Sequence, residues 1–331
     1  MPASAATRLL DHYRDCARVL PWRAAPGAAR TEPYLVWLSE VMLQQTTVAT
    51  VVPRYRRFVE RWPSVEALAA APDEEVLGEW AGLGYYARAR NLIACARQVA
   101  AMGGFPDTEA ELRALPGIGD YTAAAIAAIA FGRDSVAIDT NVERVVARLQ
   151  ATSDKAAIRA AAAALVPAGE AGDFAQAMMD LGATICRPRG PDCAACPLSV
   201  NCRALALGTP EAFPAKAPRK VRPIRFGIAH WIERDGAFWL VRRPAKGLLG
   251  GMAALPGPEW GVVPLTGPML TEVRHGFTHF ELRLAVVASA VPEGDGEGWW
   301  QPIDLLAEAG LPTLYRRAVE AVLDQRNQLA A

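Results

Sequence analysis

The sequence predicts a multidomain chain in which an all-α domain is followed by an α+β domain. Three observations carry this reading. Apolar residues recur at helical spacing through residues 1–208. Residues 209–223 are then rich in Pro, Ala and basic side chains (Lys216, Arg219, Lys220, Arg222), with Glu211 near the start, and read as a linker. From Ile224 the pattern becomes that of strands: IRFGIAHWIERDGAFWLVRR places two β-rich runs around Asp235-Gly236, a hairpin signal. The expected boundaries are therefore a helical domain at 1–208, a linker at 209–223 and a second domain at 224–331.

The elements follow in order. Thr7 to Leu20 reads as an amphipathic helix ended by Pro21, with Trp22-Arg23 after it. Pro33 is placed to start the next helix, YLVWLSEVMLQQT, where Leu35, Leu38 and Met42 mark a buried face. Glu40 stands there in mostly apolar company. If buried, it holds a proton near neutrality and suits a general acid; if exposed, it is an ordinary helix glutamate. Arg54, Arg56, Arg57 and Arg61 read as a solvated face. WAGLGYYARARNL combines a Gly-Leu-Gly turn with Tyr85, Tyr86, Arg88 and Arg90, a mixture that suits base stacking and phosphate contact, or equally a core tyrosine beside surface arginines.

In LPGIGDYTAAAIAAIAF, residues Pro116, Gly117 and Gly119 are expected to end one helix and allow positive backbone angles in a tight turn. The next helix then offers unpaired N–H groups to a phosphate. That helix, Tyr121 to Phe131, is apolar on nearly every side and so expected to be buried all round. Thr140 and Glu143 form a capping box, which sets Asp139 just ahead of a helix start, as a local cap or as a functional carboxylate. An Ala-rich helix at Ala156 to Leu165 leads to Cys186, Cys193, Cys196 and Cys202, spaced C-x6-C-x2-C-x5-C. Four thiols in so short a span point to a metal centre, zinc or an iron-sulfur cluster, and the spacing alone leaves the ion open. Beyond the linker, FTHFELRLAVVASA alternates as a strand and LPTLYRRAVEAVLDQ reads as a closing helix.

Composition narrows the partners. The chain has 331 residues, with 35 Lys and Arg against 35 Asp and Glu, so any polyanion must be met by local basic patches rather than a global field. No apolar run approaches the ~20 residues that cross a bilayer, and the N-terminal segment has no secretory apolar core, so the chain reads as cytoplasmic. Of six cysteines four are bunched, unlike a secreted disulfide framework.

Taken together these motifs resemble the helix-hairpin-helix DNA glycosylase superfamily, and within it the MutY-type adenine glycosylases. LPGIG with Asp139 is similar to the superfamily's hairpin and catalytic aspartate, and the cysteine spacing to its iron-sulfur loop. SEVMLQQT and GLGYYARARNL are closer to MutY, and LLGGM and HGFTHF resemble its C-terminal, Nudix-like domain. The resemblance implies an all-α helix-hairpin-helix glycosylase domain with its iron-sulfur loop at 186–202, followed by an α+β Nudix-like domain that recognises 8-oxoguanine.

The activity so implied is hydrolysis of the N-glycosidic bond of adenine opposite 8-oxoguanine or guanine, after base flipping, in base excision repair. Glu40 would protonate adenine and Asp139 stabilise the oxocarbenium-like sugar, directly or through a transient adduct. Tyr121 stands where lyases of the superfamily carry a Schiff-base lysine, which implies a monofunctional enzyme, and Asn141 matches a further active-site position. Trp22, Arg23, Gln44, Thr46 and Gln176 match places that contact the flipped adenine or its surroundings. Gly117 and Gly119 would hold the DNA backbone, Leu83 and Tyr85 would wedge beside the oxidised guanine, and Phe277, Thr278 and His279 would read it. Cys186, Cys193, Cys196 and Cys202 would carry a 4Fe-4S cluster. The implied partner is double-stranded DNA, with the protein a monomer and no membrane involved. Departures are Thr278 where serine is common, Thr47 where glutamine is common, and an acid-rich Nudix box reduced to isolated Glu259 and Glu272, so nucleotide hydrolysis is not expected. Two alternatives remain: an endonuclease III-like glycosylase/lyase for oxidised pyrimidines, and a non-catalytic iron-sulfur DNA-binding protein.

Overall fold

The computed structural model describes residues 4–215, 221–244, 247–263, 268–290 and 298–330, so Lys216, Arg219 and Lys220 of the expected linker lie outside the described residues. The chain divides into two compact units, residues 1–72 with 91–218, and residues 73–90 with 219–331. Residues 73–90, which the sequence places within the first domain, thus cluster with the C-terminal unit.

The helices in order are α1 (Ala5–Cys16), α2 (Pro33–Leu43), α3 (Val48–Arg61), α4 (Val65–Ala70), α5 (Asp73–Glu79), α6 (Ala87–Met102), α7 (Glu109–Arg113), α8 (Asp120–Ile129), α9 (Thr140–Gln150), α10 (Lys155–Leu165), α11 (Ala171–Thr184) and α12 (Arg203–Ala206). In the helical unit, α8 packs against α2, α7 and α11, and α11 also packs against α1 and α9. Residues Thr122 to Ala128 of α8 are all buried, as its apolar composition requires, and its small alanines let neighbouring backbones approach closely. Leu9, Leu10 and Tyr13 of α1 join Val142, Val145 and Val146 of α9 and Phe174, Met178 and Leu181 of α11 in one core. At Gly182 of α11, a Cβ would stand 2.6 Å from the Cβ of Asn141, so only glycine lets the start of α9 lie this close.

Helix α1 ends at Cys16 rather than Leu20. Ser4 caps its start, and the backbone N–H of Arg18, which a longer helix would return to its own turn, donates instead to Asp180 Oδ2 at 3.1 Å. Local periodicity carries no trace of that tertiary capture.

In the C-terminal unit, strands β1 (Ile224–Trp231), β2 (Glu233–Arg234), β3 (Ala237–Arg242), β4 (Ala253–Ala254), β5 (Thr271–Gly276), β6 (Glu281–Ala288) and β7 (Gly298–Pro302) form two sheets. One has the order β1-β6-β5, with β1 parallel to β6 in the register Ile224↔Glu281 to Trp231↔Ala288. The other joins β2, β3 and β4, with β7 also on β3. Asp235 and Gly236 both take positive φ (51° and 73°) and make the expected tight turn, but the hairpin it closes is only β2–β3, because β1 finds its partner far along the chain. The closing helix, α13 (Thr313–Ala330), packs on β5 and β6, and Leu314, Tyr315, Ala318, Val319 and Val322 enter a core with Phe238, Leu240, Leu282 and Leu284. No helix among the described residues is long and apolar enough to cross a membrane.

Candidate active site

Helix α2 starts at Pro33, whose missing N–H costs nothing at that position, and residues Val36 to Met42 are all buried. Glu40 is therefore carried into an apolar wall, 7% exposed. Burial pushes its carboxyl up to about 7; a hydrogen bond with Tyr121 and the charge of Arg23 draw it down, and Asp139 raises it. The exposed-glutamate reading is thus excluded.

Of the two readings of Asp139, the local cap is the one directly visible. It is the N-cap of α9: Oδ1 accepts the Val142 N–H at 2.7 Å, and Oδ2 accepts Asn141 Nδ2 at 2.7 Å. Asn141 Oδ1 in turn accepts Arg144 Nη2 at 2.8 Å, and Arg144 also donates to the carbonyls of Cys186 and Gly182, each at 2.8 Å. Capping locks the carboxylate's rotamer while the residue still lines a cavity.

That cavity, about 790 Å³ and wholly within the helical unit, is of a size for a nucleoside. Glu40, Tyr121, Asp139 and Asn141 face it together with Trp22, Arg23, Gln44, Thr46, Gln176, Gly117 and Gly119. Every catalytic and base-contacting residue expected in this unit is brought to one place. Burial, with the charges of Glu40 and Asp139, raises the Tyr121 phenol well above 10, and its hydroxyl lies 3.5 Å from Met179 Sδ as well as beside Glu40. Gln44 Nε2 reaches Thr122 Oγ1 at 3.4 Å, while Thr47 caps α3, a local role for the residue that departs from the family pattern.

The hairpin calls for one correction. Gly117 has φ +75° and a Cβ there would meet Asn91 Cβ at 2.7 Å, so glycine is required. Gly119 has φ −94° and is the N-cap of α8, with no side-chain cap. Its positive-angle rationale fails; what it provides is an uncovered helix start, with donors open to an anion.

In the C-terminal unit, Tyr85 has φ +48° and is 51% exposed, with its hydroxyl 3.2 Å from Thr278 Oγ1. Phe277 stacks on Phe280 and packs against Trp260, and its carbonyl accepts from Arg222; Thr278 and His279 at the β5–β6 turn are exposed. Leu83, by contrast, is buried at 4% exposure, so of the two expected wedges Tyr85 alone presents its side chain.

Cys186, Cys193, Cys196 and Cys202 are unpaired, and three of them pack on the helical core. Arg148 Nη1 donates to Cys186 Sγ at 3.3 Å and Cys202 Sγ lies 3.5 Å from the Arg148 carbonyl. Burial raises Cys196 to about 11 and also raises Cys193, with the neighbouring thiols adding to both. Among the described residues, no three His, Cys, Asp or Glu side chains are gathered closely enough to ligate one ion.

Comparison with known proteins places this arrangement. Residues 38–168 match the model of the HhH-GPD superfamily base excision DNA repair protein, and residues 228–321 that of the NUDIX domain. An adenine DNA glycosylase of Mus musculus is 37% identical over 87% of this chain and 70% of its own length. The chain belongs to the adenine DNA glycosylase family. The corresponding protein of Arabidopsis thaliana is 39% identical over 75% of this chain, which spans 46% of that relative. The helical fold is shared with a solved thermostable thymine-DNA glycosylase, 30% identical, with a TM-score of 0.55 over 61% of this chain and 95% of that one.

For a member of this base-excision-repair family, sequence reasoning missed the groups that hold the site in place. Asp180, 7% exposed, accepts from Arg23 and Arg18, and Arg144 and Arg148 tie α9 to the cysteine loop. The available signal was a carboxylate on the largely apolar α11, one turn beyond Gln176, the same kind of signal that singled out Glu40.

Proposed function

We propose that the chain removes adenine from duplex DNA where it stands opposite 8-oxoguanine or guanine, leaving an abasic site. The observation that carries this is a single cavity faced by two carboxyls in opposite roles: Glu40, raised to about 7 by burial, and Asp139, held as an acceptor by Val142 and Asn141. Glu40 gives its proton to the leaving adenine as the N-glycosidic bond breaks. The electron-poor sugar is met by the Asp139 carboxylate, and water adds to it, returning a proton to Glu40. Tyr121 has no amine, so the sugar is not captured as a Schiff base and strand cleavage is not part of the reaction. Extrusion of the adenine costs a few kcal/mol, less at a mispair. The hairpin at Gly117 and Gly119 offers backbone donors to the DNA phosphates, and the exposed Tyr85, Thr278 and His279 supply polar and aromatic groups for reading the opposite guanine.

The four cysteines are read as holders of a 4Fe-4S cluster, in keeping with their C-x6-C-x2-C-x5-C spacing and with the cationic donor Arg148 at Cys186 Sγ. When bound, such a cluster supplies a cross-link to a loop that has little regular structure. The protein acts as a monomer.

The test is Asp139→Asn. Asn can still cap α9 through its carbonyl oxygen but carries no charge, so single-turnover excision is expected to fall by roughly 10² to 10³-fold with duplex affinity kept. Excision at the parental rate would leave Asp139 as a cap and favour the non-catalytic DNA-binding alternative.

A further inference from the structure

One buried charge cluster is unused by the chemistry above. Asp180 lies on α11, four residues after Gln176, and is 7% exposed. Both of its oxygens accept from Arg23 Nη1 at 2.8 Å. Oδ1 also takes Arg18 Nε at 2.6 Å, and Oδ2 the Arg18 backbone N–H at 3.1 Å. The Arg23 side chain is 7% exposed, so it has exchanged water for this one carboxylate, and Arg18 and Arg23 line the same cavity as Glu40. Tyr13 of α1 feels the charges of Arg23, Asp180, Asp173 and Arg18, and its buried hydroxyl makes no hydrogen bond.

Within this cluster two guanidinium groups share one carboxylate, and one of them, Arg23, draws the Glu40 carboxyl down. The charged and titratable groups facing the cavity are Arg18 and Arg23 ahead of α2, Asp120 and Tyr121 on α8, Asp139 ahead of α9, and Glu143 on α9. Of these, Arg23 and Tyr121 favour the ionised Glu40, and Asp139 the neutral one. Asp180 acts on this balance through the arginines.

We propose that Asp180 is a positioning residue for excision, holding the Arg23 guanidinium in the cavity wall and offsetting the charge of Arg18 and Arg23 so that Glu40 keeps its proton. The proposal rests on the glycosylase reading. Its consequence is a sign: removing the negative charge at Asp180 with its shape retained makes Glu40 ionise at lower pH, and removing the positive charge at Arg18 does the reverse.

The experiment is single-turnover excision against pH on a duplex with adenine opposite 8-oxoguanine, for the 331-residue parent, Asp180→Asn and Arg18→Gln, each with its duplex affinity and melting temperature. In Asp180→Asn the limb on which the rate falls with rising pH is expected to move down by about half a pH unit or more, with the affinity for duplex changed less than about threefold. In Arg18→Gln the limb is expected to move up. A purely structural Asp180 would lower the active fraction and the melting temperature with the limb in place, and that result, or a shift of opposite sign, overturns the proposal. Should Asp180→Asn not fold, an unmoved limb in Arg18→Gln overturns it alone. A parent protein that excises no adenine would sink the glycosylase reading itself.

Discussion

Near neutral pH the Glu40 carboxyl is divided between its acid and its carboxylate, and that division is set by where α2 carries it. In the unfolded chain the group titrates near 4.5, and in the folded protein near 7. As pH climbs between those values the unfolded chain releases a proton that the folded one retains, so stability falls through this window and stays lower above it, by about 3 kcal/mol. Glu40→Gln removes the effect. Its unfolding free energy is expected to match the parent below pH 4.5 and to exceed it above pH 7, while excision drops by about 10² to 10⁴-fold. Denaturant titrations at several pH values check this, and a parallel pH dependence in the two proteins would place Glu40 in water. Glu40 and Asp139 were legible in the sequence because each breaks a local pattern, a carboxylate in an apolar helix and an acid ahead of a capping box. Asp180 breaks the same pattern, but its partners Arg18 and Arg23 lie more than 150 residues away in the chain, and no periodicity links them.

At the scale of the element, the hairpin and the cysteine loop show what spacing conveys and what it omits. LPGIG announced a tight turn, and Gly117 fulfils it, whereas Gly119 serves through its missing side chain at the start of α8. The cysteine spacing announced a shared ligand, yet the loop's attachment is carried by α9. Arg148, 2% exposed, donates to Cys186 Sγ and to the carbonyls of Arg187, Pro188 and Phe213. Replacing it by Met removes these donors, at a cost of about 1–3 kcal/mol for each acceptor that water cannot then reach. The parent is expected to show the broad visible absorption of thiolate-bound iron, with four iron atoms per chain. Arg148→Met is expected to show less iron and a lower melting temperature. A colourless parent with stoichiometric zinc would contradict the cluster, and full iron retention in the variant would remove Arg148 from its support.

On the scale of the whole molecule, the two units carry separate parts of the proposed site. The helical one brings Glu40, Tyr121, Asp139 and Gln176 to one cavity, and the C-terminal one joins Tyr85 to Thr278. The sequence read the two-domain order and the change from helix to strand period correctly. It could not foresee that β1 pairs with β6 in parallel, or that residues 73–90 cluster with the C-terminal unit, because both depend on contacts between distant segments. If that unit reads the opposite base, Thr278→Ala with His279→Ala is expected to lower the preference for adenine opposite 8-oxoguanine over adenine opposite guanine, by about tenfold for two lost polar contacts. The excision rate on the unoxidised mispair should stay near the parental value. An unchanged ratio would take these residues out of lesion reading.

At the centre of the proposed function, Glu40 as proton donor and Asp139 beside the sugar release adenine without an amine to cut the strand. The most direct measurement is incubation of the protein with duplexes carrying adenine opposite 8-oxoguanine, with and without subsequent hot alkali. A break at the adenine position is expected only after alkali, and none in duplexes carrying an oxidised pyrimidine. Strand cleavage without alkali, or intact adenine sites after prolonged incubation with stoichiometric protein, would contradict it.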